Sequence, residues 1–136
     1  MNILVTNPAS RLSREIVQAL SLAHEVELAE GPFGHEEAQN ELVKDVDTVV
    51  HSLQDSPSID ESERLDQAMR QTYNLLWTCV QGGVSRFVFL SSLSSMKSYP
   101  ENYLVNEKWR PLPTTEIDGL CFHLAEFVCR EYGRER

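Results

Sequence analysis

The first twenty residues limit the fold more than any other part of the chain, because they join a strand-length apolar run to a helix through one short turn. The run ends at Val5, the segment "TNPASRLS" follows it, and apolar residues then recur at helical spacing from Leu12 to Leu20. A strand, a loop and a helix in this order begin the units from which parallel α/β sheets are built. The loop, however, contains no glycine.

The same alternation continues along the chain. The segments "HEVELAE", "VDTVVHSL" and "RFVFLSS" predict three more strands, and the near-continuous apolar centre of "VDTVVHSL" indicates that both of its faces are covered. A short polar helix is predicted in "HEEAQNELVKD", a long one at 58–81 and a last one at 116–132. The pattern predicts one α/β domain over residues 1–136, with a parallel sheet, right-handed crossovers and flanking helices.

Composition excludes several classes of partner. The chain carries 12 basic and 21 acidic residues, a net charge of -9, which repels phosphate backbones and argues against nucleic acid. Its apolar runs fall short of the roughly 20 residues that a membrane helix needs, and no signal peptide is visible, so we expect a cytoplasmic protein with no membrane partner. The three cysteines lack CxxC spacing and are expected to be reduced, and no metal site is predicted.

A parallel sheet places its ligand crevice at the carboxyl ends of its strands, near the point where the strand order reverses. In this chain the crevice would be lined by 6–13, Glu30, 51–54 and 91–95. These segments are therefore the candidates for a binding site.

The order of the pieces resembles the amino-terminal half of the extended short-chain dehydrogenase/reductase family, the NAD-dependent epimerase/dehydratase group. The likeness rests on "MNILVT", "DVDTVVHSL", "TYNLL", "YPENYLVNEKWRPLPTTE", "LAEFVCREYGRER" and above all "GGVSRFVFLSS", which is similar to the family's "aGVkRfVfaSS". The resemblance implies a Rossmann-like three-layer fold with four parallel strands ordered 3-2-1-4 and flanking helices. It also implies NAD(P) as cofactor, hydride transfer as chemistry, and a dimer formed by four helices, two from each subunit.

The family's phosphate loop reads TGxxGxxG, and its three glycines correspond to Asn7, Ser10 and Ser13. Asn tolerates the left-handed conformation that glycine adopts, but the Ser10 side chain would point into the space of the pyrophosphate. The helix that begins near Arg11 still offers amides to an anion. The residues predicted to meet a cofactor are Thr6, Asn7, Ser10, Arg11, Leu12, Glu30, His51 and Leu53.

Three of these residues have a second interpretation. Leu53, with Gln54 beside it in "HSLQ", puts bulk where the family commonly has the small residues of a pattern like HLAA. Glu30 stands near the acid that grips the adenosine ribose in the family, or is one more solvated carboxylate. His51 is expected to pack or to form hydrogen bonds rather than to catalyse.

The family's catalytic centre consists of a Tyr and a Lys four residues apart on a helix, with a Ser from the end of the fourth strand. Ser92 matches that serine, or merely caps the strand end. Counting back from Glu126 in the pattern YxxxKxxxE puts Asp118 at the Tyr position and Phe122 at the Lys position. A rival pair, Tyr103 and Lys108, has the wrong spacing and precedes two prolines.

We therefore expect a degenerate relative, truncated before the fifth strand of the family's sheet, that is catalytically inactive and acts through binding or assembly. The alternative is an oxidoreductase or nucleotide-sugar epimerase fragment that binds NAD or NADP weakly. Of the two possibilities, we favour a protein that binds no cofactor. The partners expected are a second copy, held through the helices at 58–81 and 116–132 with Phe122 near the contact, or a full-length relative. The strand Arg86–Leu90 would otherwise be an uncovered edge.

Overall fold

The computed structural model describes residues 1–34, 38–54 and 60–134. The elements follow the predicted alternation of strands and helices. They are β1 (Asn2–Thr6), α1 (Arg11–Leu20), β2 (Glu25–Ala29), α2 (Ala38–Leu42), β3 (Thr48–Ser52), α3 (Glu61–Gln81), β4 (Arg86–Leu90), a 3-10 turn (Leu93–Met96) and α4 (Ile117–Arg134).

The four strands form one parallel sheet in the order β2-β1-β3-β4. The parallel four-stranded Rossmann-like architecture is confirmed, but the predicted order 3-2-1-4 is wrong, because β3 lies beside β1 and not outside β2. The physical reason is burial. All five residues of β3 are buried, whereas three of the five in β2 are exposed, so the strand without glutamates takes the central position.

The observed order matches part of the six-stranded Rossmann order 3-2-1-4-5-6. In those terms β3 and β4 take the fourth and fifth positions, and no described residue occupies the third. The expectation that the fifth strand is missing is corrected accordingly, because β4 itself fills the fifth position of that order.

Helices cover both faces of the sheet. On one face Ile3, Val5 and Val50 contact the apolar side of α1. On the other face Leu4 and Val49 belong to a larger core that α3 helps to complete. This alternation along each strand gives the predicted three layers.

The boundaries of the long helices differ slightly from the prediction. The helix α3 begins at Glu61 rather than at 58, because the Asp60 carboxylate caps it by accepting a hydrogen bond from the Ser62 amide at 3.1 Å. Residues 55–59 lie outside the described residues. The helix α4 packs along α3. Within the described parts of the chain, none of the helices is both long enough and apolar enough to cross a membrane.

Candidate functional site

A cleft of about 550 Å³ lies at the carboxyl ends of β1, β2 and β3. We call it the switch-point cleft, because the strand order reverses between β1 and β3, where parallel α/β sheets bind their ligands. Its volume falls in the range of about 300 to 1,000 Å³ typical of small-molecule pockets. It is lined by Asn7, Ala9, Ser10, Arg11, Glu30, Leu53 and Gln54.

Asn7 organises the wall of this cleft. Its φ of 50° is the left-handed conformation that glycine would adopt at this place. Its side-chain amide donates to the Ser52 carbonyl at 2.6 Å, and its side-chain oxygen accepts from the Gly31 amide at 3.3 Å. Its backbone amide donates to the Ala29 carbonyl at 2.7 Å. One residue therefore joins the ends of three strands.

The Ser10 hydroxyl is bonded to a backbone amide that a phosphate would otherwise use. It is the N-cap of α1, and its hydroxyl oxygen accepts a hydrogen bond from the Ser13 amide at 3.0 Å. In glycine-rich loops such an amide faces the anion. A pyrophosphate at this place would have to displace the protein's own cap.

The hydroxyls behind Ser10 continue inward as an ordered chain. Ser10 donates to the Ser13 hydroxyl at 2.8 Å, and the Ser52 hydroxyl lies 3.1 Å further along. Ser52 in turn donates to the Thr6 carbonyl at 3.1 Å. Because the Ser52 hydroxyl donates its proton to that carbonyl, Ser13 is the donor to Ser52. Each of these three serine hydroxyls therefore has a partner.

Thr6 and His51, both predicted as cofactor contacts, lie behind the cleft and are 0% and 1% exposed. The Thr6 hydroxyl lies 2.7 Å from Nδ1 of His51, and Nε2 lies 3.1 Å from the Thr72 hydroxyl. Thr72 donates to the Ala68 carbonyl, so it accepts from Nε2–H, and Nδ1 accepts from Thr6. Burial lowers the pKa of His51 to about 4. The histidine is therefore a neutral structural residue.

The rim of the cleft carries opposite charges. Arg11 is largely exposed and forms an ion pair with Glu15 at 2.9 Å. Glu30 is exposed at the end of β2, and Leu12 is 53% exposed on the first turn of α1. A cation and a carboxylate thus stand within reach of a ligand in the cleft.

Leu53 and Gln54 separate the switch-point cleft from a smaller cavity. That cavity measures about 30 Å³, and Arg64 and Cys121 also line it. This is room for about one water molecule. The bulk predicted at "HSLQ" therefore stands between the large cleft and the side of the sheet where the catalytic positions lie.

The predicted catalytic positions hold no proton-transfer pair. The Ser92 hydroxyl caps the 3-10 turn by accepting from the Ser94 amide at 3.2 Å. Asp118 forms an ion pair with Arg64 of α3, and Phe122 is a half-buried hydrocarbon. The rival Tyr103 lies outside the helices, with its ring edge-on to Trp109 at 5.6 Å.

Two residues outside the predicted cofactor-binding and catalytic sets take part in the site. Ser52 ends the buried strand β3 and links the loop hydroxyls to Thr6. Arg64 reaches Asp118 across 54 positions of sequence, so no local pattern could reveal the pair. Across the described residues, no group of three or more His, Cys, Asp or Glu side chains is arranged to hold a metal ion.

No protein-family model matches the chain, and no curated protein matches its sequence. Solved structures do match. A short-chain dehydrogenase/reductase superfamily protein from Agrobacterium tumefaciens with bound NAD aligns with a TM-score of 0.80 and 27% identity, over 98% of this chain and 45% of that one. The UDP-N-acetylglucosamine 4-epimerase from Bacillus cereus aligns with a TM-score of 0.81 and 24% identity, over 100% and 55%.

The UDP-glucose 4-epimerase of Thermus thermophilus in complex with NAD aligns with a TM-score of 0.80 and 22% identity, over 99% of this chain and 51% of that one. The chain thus spans about half the length of the proteins it matches. Its structure is that of the Rossmann half of short-chain dehydrogenase/reductase proteins, as its sequence motifs predicted.

Proposed function

We propose that the chain is a catalytically inactive relative of the NAD-dependent epimerases and dehydratases, and that it acts through assembly with a second copy. The observation that carries the first part is the pairing of Asp118 with Arg64 one turn away from Phe122. In the family that the chain resembles, the position of Asp118 holds the Tyr that exchanges a proton with the substrate, and the position of Phe122 holds the Lys that assists it.

The chemistry of that exchange depends on a phenol whose pKa is lowered by a neighbouring ammonium. Phe122 has no ionisable group, and Asp118 is committed to Arg64 across the α3–α4 contact. The hydroxyl of Ser92 is already the cap of the 3-10 turn. The three positions therefore serve packing and capping, which supports a structural role for this end of the sheet.

Turnover is tested with the purified chain, NAD and UDP-glucose or UDP-N-acetylglucosamine. Net oxidation is followed by NADH absorbance, and epimerisation, which returns the hydride to the sugar and leaves no net NADH, is followed by chromatography of the 4-epimeric product. We expect no rate above the background without protein, and no difference between the wild type and Ser92→Ala. A rate that Ser92→Ala abolishes would overturn the proposal, because it would require an active centre that uses this serine.

Assembly is supported by an apolar groove on the outer side of the two long helices. This α3/α4 groove of about 530 Å³ is lined by Met69, Tyr73, Trp77, Phe127, Val128, Glu131 and Tyr132. Tyr73 and Phe127 are 45% and 50% exposed. In the resembled family the corresponding helices form the dimer contact, and a second copy would remove this surface from water. The groove lies near Phe127, while Phe122 is half-buried.

Sedimentation at micromolar concentration tests the dimer. We expect the wild type to sediment as a dimer and Phe127→Glu as a monomer, because a buried unpaired carboxylate opposes association. Leu22→Glu is the matched control, since Leu22 is 87% exposed on the turn after α1 and should leave the dimer intact. A monomeric wild type, or a dimer that persists in Phe127→Glu, would refute the proposed contact.

A second candidate function is nucleotide binding, which the switch-point cleft favours through its volume and its charged rim. The capped Ser13 amide and the bulk of Leu53 and Gln54 argue that NAD or NADP binds weakly. Calorimetry with NAD, NADH and NADPH decides between the two. A dissociation constant in the low micromolar range, which corresponds to a binding free energy of about -8 kcal/mol, would favour the nucleotide-binding function.

A further inference from the structure

The strand β2 has one open edge that follows from an internal connection of the chain. It pairs with β1 on one side, and none of the residues in 1–34, 38–54 or 60–134 pairs with it on the other. In the order 3-2-1-4-5-6 the third strand would lie at this edge, and the chain would form it between the second strand and the fourth. That part of the chain is 30–47, and its described residues contain the helix α2 and no strand. We call this side of the strand the β2 edge.

The backbone groups of β2 alternate between its two sides. The Ala29 carbonyl accepts a hydrogen bond from the Asn7 amide, so Ala29 directs its backbone groups toward β1. Neighbouring residues of a strand direct theirs to opposite sides. Val26 and Leu28 therefore direct their amides and carbonyls outward, and the β2 edge offers donors and acceptors to another strand.

The two faces of the sheet differ in chemistry at this edge. Glu25 and Glu27 share one face, since alternate residues of a strand point the same way, and both are exposed. Neither glutamate forms an ion pair with any residue that the structure describes. On the other face Val26 is half-buried beside α1, and Leu28 is 53% exposed. The β2 edge is therefore acidic on one face and apolar on the other.

We propose that the β2 edge binds an extended segment of another polypeptide in which basic and apolar residues alternate. The backbone of that segment would bond to the outward amides and carbonyls of Val26 and Leu28. Its Lys or Arg side chains would lie opposite Glu25 and Glu27, and its apolar side chains would cover Leu28 on the face of α1. The proposal does not rest on the proposed dimer, whose groove is formed by α3 and α4.

A second copy of β2 does not fit this edge. If two β2 strands paired in antiparallel orientation, the face that carries Glu25 and Glu27 in one copy would continue into the same face of the other. Like charges opposite each other destabilise a pair of strands, and charged residues on a short edge strand oppose its pairing with itself. A basic strand, in contrast, neutralises both glutamates. Charge thus selects the occupant.

The test uses the full chain and a blocked heptapeptide that alternates valine and lysine. The control peptide has the same composition with its lysines adjacent, so any general attraction to the acidic chain is the same for both. Nitrogen-15 amide spectra and hydrogen exchange report the binding. We expect the alternating peptide to bind saturably and to slow exchange of the Val26 and Leu28 amides, while the Glu27 amide, which faces β1, stays unchanged. The control peptide should bind about tenfold more weakly, because its lysines cannot all lie on one face.

Charge reversal checks which residues select the peptide. We expect the double variant Glu25→Lys with Glu27→Lys to prefer a heptapeptide that alternates valine and glutamate. The matched control is Glu101→Lys with Glu107→Lys, which changes the net charge equally at two exposed positions in the connection after β4. This control should keep the preference for lysine.

A proline variant checks the backbone contact. Leu28→Pro removes an amide that points outward and leaves the bonds to β1 in place, as is tolerated on edge strands. We expect the variant to keep the amide spectrum of the folded chain and to lose the binding of the alternating peptide. The charge-reversed variant tests the same edge without a change to the backbone.

Equal affinity of the two valine–lysine peptides would overturn the proposal, because net charge alone would then explain the binding. An alternating peptide that does not bind saturably up to millimolar concentration would also overturn it. So would slowed exchange elsewhere with Val26 and Leu28 unchanged, or a folded charge-reversed variant that still prefers lysine.

Discussion

The Thr6 hydroxyl donates a hydrogen bond to Nδ1 of His51 across 2.7 Å in the centre of the molecule, where neither side chain is exposed by more than 1%. Phe33, Phe87 and Phe89 surround the imidazole with ring centroids about 6 Å away, at 6.1, 5.8 and 5.7 Å. A charged imidazolium would lose its hydration here, and its Nδ1 would no longer accept from Thr6. The pair therefore fixes one neutral tautomer.

Stability should fall with acidification because of this histidine. Its pKa is about 4 when folded and 6.5 as a model value, so between these two values the unfolded chain binds the proton and the folded chain does not. The contribution is intact above pH 6.5 and is lost as the pH falls toward 4, by about 3 kcal/mol in total. Urea unfolding of the wild type at several pH values measures the slope.

His51→Gln removes this titration while it keeps an acceptor and a donor. Carboxylates elsewhere also depend on pH, so the informative quantity is the difference between the two proteins. We expect the free energies of unfolding of wild type and variant to converge as the pH falls from 7 to 4.5. Parallel curves would show that His51 does not carry the effect.

Asn7→Ala should destabilise the fold by about 2 to 4 kcal/mol, because it removes two side-chain hydrogen bonds and leaves alanine in a left-handed conformation. Asn7→Gly loses the same bonds but tolerates the conformation, so it should cost about 1 kcal/mol less than alanine. Chemical denaturation gives both values.

The control for Asn7 is Asp45, whose φ of 59° is also left-handed and whose residue is exposed. Asp45→Ala and Asp45→Gly should differ by about the same 1 kcal/mol, since only the backbone distinguishes them. Equal stabilities of the alanine and glycine variants at Asn7 would contradict the argument that the backbone needs the left-handed conformation.

The sequence predicts the elements of this fold well and their arrangement less well. Each strand lies where its run of apolar and β-branched residues indicates, because these local features favour a short, buried, extended segment. The order of the strands depends on competition for the centre of the sheet. The absence of charged side chains from "TVVHS" in β3, compared with the two glutamates of β2, was the available signal that β3 is central.

The site shows the same division between local and distant determinants. The left-handed Asn7 and the interfering Ser10 follow from local chemistry, and both lie at the predicted crevice. The burial of Thr6 and His51 depends on Thr72 in α3, which is distant in sequence. The partner of Asp118 likewise comes from another helix. Contacts of this kind are set by packing, which no motif spacing encodes.

The ion pair of Arg64 and Asp118 should contribute only about 0.5 to 1 kcal/mol to folding, because the Asp118 side chain is 64% exposed and solvent screens the pair. A double-mutant cycle with Arg64→Gln and Asp118→Asn, measured by urea denaturation, isolates that value. It should shrink in about 1 M salt. A coupling energy above about 3 kcal/mol would mean that the pair behaves as a buried one.

Ser10→Gly should raise the affinity of the switch-point cleft for anions, because it removes the hydroxyl that caps the Ser13 amide. Glycine is an acceptable N-cap, so the variant should lose only a few tenths of a kcal/mol, whereas Ser10→Ala should lose about 1 kcal/mol. Calorimetry with inorganic pyrophosphate and with NAD compares the two. The Cβ that alanine retains still occupies the space of the anion, so we expect Ser10→Gly to bind more tightly than Ser10→Ala.

Improved binding of pyrophosphate without improved binding of NAD would locate the remaining obstacle at Leu53 and Gln54. If Ser10→Gly bound neither ligand better than the wild type, the capping hydroxyl would not be what keeps anions from this helix.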